Sequence, residues 1–255
     1  EKYEAFFKNF GLQLKYGVYN EYGQHKEMLQ DLLLFTSSHE DKPVTLAEYA
    51  GRMKEDQKAV YYACGENVDK IKKLPQAEMV LDKGYELLYL TDDIDEFALK
   101  MLREWDGKPF QSVSAGDLDL ETPEEKEEAK KQAEEHKSLF DAMKEALGDK
   151  VDAVRLSKRL KSHPVCLASE GEVSLEMEKV LNAMPADNKV KARRVLEINE
   201  NHPIFATLSG LLDTDPDKLR DYSELLYDQA LLIEGMAIED PVAFSTRLCA
   251  LMSGQ

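Results

Sequence analysis

No glycine-rich phosphate loop of either common kind occurs in the sequence, so the two usual nucleotide-binding turns are missing. No Gly-x-Ser-x-Gly elbow occurs either, which removes the serine-hydrolase arrangement. Cysteine is scarce. Cys64, Cys166 and Cys249 are odd in number and far apart, which argues against a disulfide framework. Each lies in an apolar run, so three buried, reduced thiols and a cytoplasmic setting are expected. Positive charge is in deficit: 33 Lys and Arg face 50 Asp and Glu, for a net charge of −17. Such a surface repels phosphate backbones, so nucleic acid is not an expected partner. The short basic runs Lys158-Arg159-Lys161 and Lys191-Arg193-Arg194 read as solvated edges. No apolar run nears the length of a membrane span and no signal peptide is visible, so no membrane partner is expected.

What remains is a folded protein of 255 residues, 43% hydrophobic and 8% aromatic, enough for two cores. Glu1 to Phe10 reads as the middle of a helix, the pattern of a piece cut from something longer. Glu21 to Phe35 has helical spacing, with Met28, Leu29, Leu32, Leu33 and Phe35 on the apolar side. Thr45-Leu46-Ala47-Glu48 is a capping box opening a helix to about Met53. Ala59 to Cys64, Tyr85 to Leu90 and Lys108 to Val113 read as strands. A helix from Asn67 follows the first. A helix capped by Asp92 or Asp93 follows the second, with Ile94, Phe97, Ala98, Met101, Leu102 and Trp105 at helical spacing. Alternating strands and helices predict a small three-layer α/β/α segment with a short parallel sheet.

Asp117 to Glu135 is acidic and poor in large apolar residues, and Pro123 near its start suits a solvated helix between domains. Beyond it, Val151 to Leu156 alternates with period two as a half-buried strand, and Val165 to Ala168 and Arg194 to Ile198 are further strands. Ser174 caps a helix to about Met184. Two helices close the chain, Asp217 to Glu234, stopped by Gly235, and Asp240-Pro241 to Met252. The fold class expected is α/β followed by mixed α+β ending in a helical hairpin. The boundaries are 1–116, a connecting segment 117–136, and 137–255.

Candidate chemistry is thin. Gly65-Glu66-Asn67 sits between a strand and a helix, but one glycine beside an acid reads as a simple turn. His163 and Cys166 are two ligands where zinc asks for four, and Cys166 reads as a plain strand residue. The acids Asp92, Asp93, Asp95 and Glu96 read as helix-start residues. No catalytic, metal or cofactor residue is assigned. Two apolar surfaces are less ordinary. Val173, Met177, Val180, Leu181 and Met184 share one helix face; packing into the domain is one reading, an adaptable binding surface the other. In the closing helices Leu225, Leu226, Ala230, Leu231, Leu232 and Ile233 crowd one stripe, and Phe244, Leu248, Leu251 and Met252 line the other. A second copy completing a four-helix bundle would cover them.

Several stretches resemble the middle domain of the ninety-kilodalton heat-shock chaperones. They are Phe10 to Gly17, Leu33 to Ser38, Tyr49 to Gln57, Tyr61 to Glu66, Leu90 to Phe97 and Asp106 to Phe110. Val154 to Ser157, Met177-Glu178-Lys179, Leu196 to Asn199, His202-Pro203-Ile204 and Asp228 to Leu232 before Asp240-Pro241 carry the resemblance through the C-terminal domain. The ending Met252-Ser253-Gly254-Gln255 lacks the acidic tail of eukaryotic cytosolic members and looks bacterial. The resemblance implies the end of the middle domain, over 1–116, and the C-terminal dimerisation domain, over 137–255. It implies an ATP-driven clamp in the full-length protein, using ATP and magnesium, with the nucleotide site outside this chain. Arg52 does not match the family's catalytic arginine. The chain itself is then no enzyme and binds no nucleotide; it is a cytoplasmic homodimer that holds unfolded or partly folded client protein. The alternatives are a dimerisation scaffold without client contacts and a small α/β enzyme.

By the resemblance, client contact falls to Phe97, Lys100, Val173, Met177, Val180, Leu181 and Met184. Phe97 stands where the bacterial family has an indole, Lys100 departs from the family's polar residue, and Val173 replaces a methionine. The dimer interface falls to Leu225, Leu226, Leu232, Ile233, Phe244, Leu248, Leu251 and Met252. Met177, Val180 and Leu181 are expected to be substantially exposed, and Trp105 to be the core member of the Phe97 and Trp105 pair.

Overall fold

The computed structural model describes residues 2–116, 118–185 and 189–253. Asp117, at the start of the acidic connecting segment, and Gly254 and Gln255 of the ending lie outside the described residues. The chain divides into two compact units, one of residues 1–73, 80–113 and 180–187, the other of 74–79, 114–179 and 188–255.

The first unit opens with α1 (Lys2–Gly23), whose Gly11, Lys15 and Val18 make a buried stripe at i, i+4 and i+7. The helix breaks at Asn20, and Glu21, Tyr22 and Gly23 follow in left-handed conformation. The expected helix from Glu21 to Phe35 is corrected. Only α2 (Lys26–Leu29) and one 3-10 turn to Leu32 are helical, and Phe35 starts strand β1 (Phe35–Ser37). Leu33 and Phe35 are buried, so this apolar run serves the sheet core; over so few residues the two periods are hard to separate.

Strand β2 (Pro43–Val44) precedes α3 (Leu46–Arg52). The capping box forms as read, with Thr45 Oγ1 accepting from the Glu48 amide and the Glu48 carboxylate from the Thr45 amide. Strand β3 (Val60–Cys64) leads to α4 (Val68–Ile71), capped by Asn67. Helix α5 (Glu78–Asp82) precedes strand β4 (Leu87–Leu90), which is followed by α6 (Asp95–Leu102), β5 (Glu104–Trp105) and β6 (Lys108–Ser112).

The sheet order is β2-β1-β4-β3-β6-β5. Its centre is parallel: β3 pairs with β4 (Tyr62 opposite Leu88) and with β6 (Tyr61 opposite Gln111). Antiparallel strands flank it, β1 and β2 on one side and β5 on the other. The near-continuous burial of β3 and β4 matches central strands covered on both faces. Two local readings are corrected. Asp92 and Asp93 do not cap α6; the Asp95 carboxylate reaches back to accept the Thr91 and Asp92 amides at 3.1 and 3.0 Å, and Lys15 Nζ lies 2.6 Å from it. Trp105 does not continue α6. Arg103 turns the chain with φ of 69°, and Trp105 lies on β5, partly buried against the core.

In the second unit α7 (Pro123–Glu135) carries Pro at its start, a Thr122–Glu125 capping box and no buried residue, the solvated helix its composition predicts. Helix α8 (Lys137–Leu147) buries Leu139, Phe140, Met143 and Leu147. Strands β7 (Ala153–Leu156), β8 (Val165–Glu170) and β9 (Arg193–Ile198) form a sheet of order β7-β9-β8, parallel between β7 and β9 and antiparallel between β8 and β9. The alternating burial of β7 matches its period-two sequence. Helix α9 (Leu175–Ala183) follows β8 in the sequence, with its residues through Lys179 in this unit and those from Val180 in the first; Ser174 Oγ accepts the Met177 amide at 3.0 Å. Helices α10 (Pro203–Thr214), α11 (Pro216–Ile233) and α12 (Pro241–Met252) close the chain. The cap of α11 is Asp215, just before the expected start at Asp217, and Gly235, with φ of 71°, turns the chain beyond the helix end. Asp240 accepts the Val242 and Ala243 amides, as its place before Pro241 predicts. Met143, Val165, Leu167, Leu196, Ile198, Leu208 and Leu226 are among the residues of this unit's core. Cys166 is buried and Cys64 partly so, but Cys249 is exposed on α12, which corrects the expectation of three buried thiols.

Candidate functional site

Helix α9 is built on an anchor that its sequence hides. Glu178 falls away from the apolar stripe, where a helix of this pattern ordinarily meets solvent. It is buried instead. Its carboxylate accepts the Ala192 amide at 2.8 Å and a bond from Arg194 Nη2, and Arg194 Nη1 donates to Tyr227 Oη at 2.6 Å. The helix is thereby tied to β9 and α11, and Leu175, 2% exposed, joins the core. The predicted apolar face is left partly covered. Met184 is 52% exposed, and Val173, Met177 and Leu181 are half-buried. Val180 is buried at 7%, which corrects the expectation that it is open. Val173 also packs against the core, so its side chain is shared between core and surface.

On α6, Asp95, Glu96, Ala98, Leu99 and Leu102 are buried, and this leaves Phe97 and Lys100 half-exposed. The Phe97 ring meets Tyr19 of α1 edge-on, with centroids 5.8 Å apart.

The terminal hairpin separates into core and surface. Leu225 and Leu226 are buried, and Leu226 is a member of the core cluster. Leu226, expected in the dimer interface, is thus a core residue, and a charge there disrupts the fold before it reports on any interface. Leu232 (52%), Val242 (75%), Leu248 (41%) and Met252 (80%) are exposed, while Ile233, Phe244 and Leu251 are half-buried. Helix α12 buries none of its residues.

Beneath these surfaces lie polar groups with no periodic signal in the sequence. Glu197 is fully buried and accepts from Arg155 Nη2 at 2.9 Å and from Arg159 Nε and Nη2 at 2.9 and 3.0 Å. Burial works to raise its pKa, but the two guanidiniums outweigh it and hold the carboxyl below the ordinary range. Cys166 Sγ points at the same carboxylate from 3.8 Å, and burial first, then that charge, pushes the thiol well up, so it is inert. Glu234, just past the end of α11, is buried, and burial pushes its pKa up to about 7. Gln76 Nε2 donates to its carboxylate and to Leu167 O, and Lys179 Nζ donates to its backbone carbonyl at 3.1 Å. Glu78 accepts the Lys161 and Ser162 amides and bonds His163 Nδ1 at 2.8 Å. Ser162 Oγ, at 3.1 Å, and the Glu78 carboxylate both meet His163 at Nδ1, so the ring does not link them through its two nitrogens as a Ser-His-acid relay requires.

The Gly65-Glu66-Asn67 turn does not fit a nucleotide phosphate. Asn67 Oδ1 already accepts the Lys70 amide, Glu66 pairs with Lys70, and the helix beyond has four residues. Among the described residues no group of three or more His, Cys, Asp or Glu is placed to hold a metal ion, and no helix is long and apolar enough to cross a membrane.

All 255 residues match the protein family described as Hsp90 protein. The chain is similar to the Chaperone protein HtpG of Clostridium perfringens (strain ATCC 13124), at 59% identity over 252 residues. It is 58% identical over 252 residues to the protein of that name from Bacillus subtilis (strain 168) and to that from Clostridium botulinum (strain Langeland). Each match covers 99% of this chain and 40% of the relative, so the chain spans about two-fifths of the length of these curated relatives.

Proposed function

The chain belongs to the Hsp90 protein family, and from that premise we propose that it is the part of an ATP-driven chaperone that pairs with a second copy and holds non-native protein. In this reading residues 1–116 end the middle domain, 117–136 connect, and 137–255 form the dimerisation domain. ATP and magnesium belong to the remainder of the longer protein, in the cytoplasm, and the chain alone turns over no nucleotide.

The observation that carries the proposal is the apolar surface of the α11–α12 hairpin. Leu232, Val242, Leu248 and Met252 are open to solvent, and Ile233, Phe244 and Leu251 beside them are only half-buried. Covering a large apolar side chain contributes roughly 1.5–3 kcal/mol. Four from each of two copies are of the size needed to offset an association cost of about 4–15 kcal/mol. A two-fold pairing of hairpins uses the same patch twice and leaves no open end. Non-native protein is assigned to Met177, Leu181 and Met184 of α9 and to Phe97 and Lys100 of α6. Methionine suits such a role because its thioether adapts to irregular partners.

Light scattering on the purified chain tests the pairing. The expected mass is twice 29.0 kDa, and Leu248→Glu together with Met252→Glu, both at exposed positions, is expected to halve it without loss of helix signal. A paired mass that survives the double substitution places the interface elsewhere. One observation favours the scaffold alternative at one position: Val180 is buried, so its contribution is to folding rather than to client contact.

A further inference from the structure

Helix α9 is docked by charge as well as by apolar contact. Glu178 is buried along with Leu175 and Val180, and Glu176 and Lys179 are half-buried. A helix of nine residues is marginal in water on its own, so its order depends on what it is tied to.

Polar ties join α9 to α11 at two places. In one, Glu178 accepts from Arg194 Nη2 at 2.5 Å, and Arg194 Nη1 donates to Tyr227 Oη at 2.6 Å. In the other, Lys179 Nζ donates to the backbone carbonyl of Glu234 at 3.1 Å. Glu234 is the C-cap of α11, where the helix leaves carbonyls without intrahelical partners and its dipole favours a cation.

Tyr227 and Glu234 are about two turns apart and share one side of α11. Leu232, 52% exposed, lies about 140° round the helix from Tyr227. Helix α11 thus holds α9 on one side and offers an open apolar residue of the hairpin on the other. Leu232 belongs to the same last turn that ends at Glu234. The last turn of a helix is its most readily opened part. Here Gln76 and Lys179 hold it from one side, and the Leu232 side is open.

We propose that Lys179 and Tyr227 are positioning residues that couple pairing to α9: a second copy covering Leu232 fixes the last turn of α11, and through these two ties it fixes α9. The inference rests on the reading that the hairpin pairs, and adds to it the regulation of α9 by that pairing. Covering Leu232 touches no residue of α9. It suppresses openings of the turn that free the acceptor of Lys179, so the coupling runs through local order rather than through a change of shape. The paired chain then presents Met177 from a fixed base, and the unpaired chain does not. Such coupling is reciprocal, so loss of the ties weakens pairing by the same factor.

Amide hydrogen exchange of α9 tests the coupling, because so short a helix keeps protection only while it is docked. Exchange is read in the parent chain, in Lys179→Met/Tyr227→Phe, in Leu248→Glu/Met252→Glu, and in all four substitutions combined. Lys179→Met keeps an apolar stem and Tyr227→Phe keeps the ring, so each removes a hydrogen bond and little packing. In the paired parent α9 is expected to exchange about tenfold more slowly than in the unpaired hairpin variant. The tie variant is expected to lose the same factor at a concentration where its mass is still paired, and the combined variant to lose no more than either. Light scattering over a dilution series is expected to show the tie variant pairing about tenfold more weakly than the parent. Lys179→Met alone, expected to lose about threefold, keeps the test valid if Tyr227→Phe misfolds.

Equal α9 exchange in the paired parent and the unpaired hairpin variant overturns the coupling and leaves the pairing reading standing. A folded tie variant with parental exchange does the same. So does a combined variant that loses the product of the two factors, because the effects are then independent. A parent of single mass, or a hairpin variant of paired mass, overturns the hairpin reading and the coupling with it.

Discussion

Glu234→Gln is expected to stabilise the chain, and only above mildly acidic pH. The Glu234 carboxyl is buried just past the end of α11, with burial pushing its pKa up to about 7 from an ordinary 4.5. The charged groups near it are Lys179, Glu176 and Arg159. Lys179 spends its ammonium on the Glu176 carboxylate at 2.5 Å and on the Glu234 backbone carbonyl. Gln76 Nε2 donates a hydrogen bond to the carboxylate itself. The folded chain thus holds this proton more tightly than the unfolded chain does. The group costs nothing below about pH 4.5, and its penalty grows as pH rises through about 7. The full penalty is about 3 kcal/mol above pH 8, and under about 1 kcal/mol at pH 5. Glutamine keeps an oxygen for Gln76 and removes the charge. Urea denaturation of parent and variant at pH 5 and pH 8 reads the difference. Equal stability at both values, or a variant weaker at pH 8, refutes the reasoning that a buried, poorly compensated charge sits there.

Glu197→Ala is expected to cost about 3–5 kcal/mol in the same assay, because it removes the buried carboxylate that the Arg159 and Arg155 guanidiniums bond. A loss under about 1 kcal/mol means that water reaches the site. On α9, Val180→Ser is expected to lower stability by about 1–3 kcal/mol, while Met177→Ser, at a half-buried position, costs less. Thermal melts of the two variants in the reverse order contradict the burial described.

Much of the fold is legible where local chemistry decides it. The Thr45–Glu48 box, the Asp240-Pro241 start and the alternation of β7 are signals within five or six residues, and each element forms where its signal stands. Readings fail where a distant partner decides. Phe35 has helical spacing with Leu32 and Met28, but pairing with Val44 draws it into a strand. Trp105 continues the α6 periodicity, yet the Arg103 turn sends it to β5 opposite Lys108. The site is read less well than the fold. Leu226 and Leu248 look equivalent as leucines of a terminal hairpin, but one is core and the other surface. The difference depends on what α11 packs against, which helical spacing does not encode. Glu178, Glu197 and Glu234 are buried acids with no marker in sequence, because burial of a charge is set by the arginine, lysine or glutamine brought to it from elsewhere in the chain.

Binding of an unfolded protein without nucleotide tests the central claim most directly. A labelled, reduced and carboxymethylated protein that cannot refold is titrated with the chain in the absence of ATP. Saturable binding is expected, at two copies of the chain per binding unit, and Met177→Ser with Leu181→Ser is expected to weaken it about tenfold while leaving the paired mass intact. A chain that pairs but binds no unfolded protein, or whose binding is indifferent to α9 and to Phe97 alike, contradicts the account and leaves a scaffold that only dimerises.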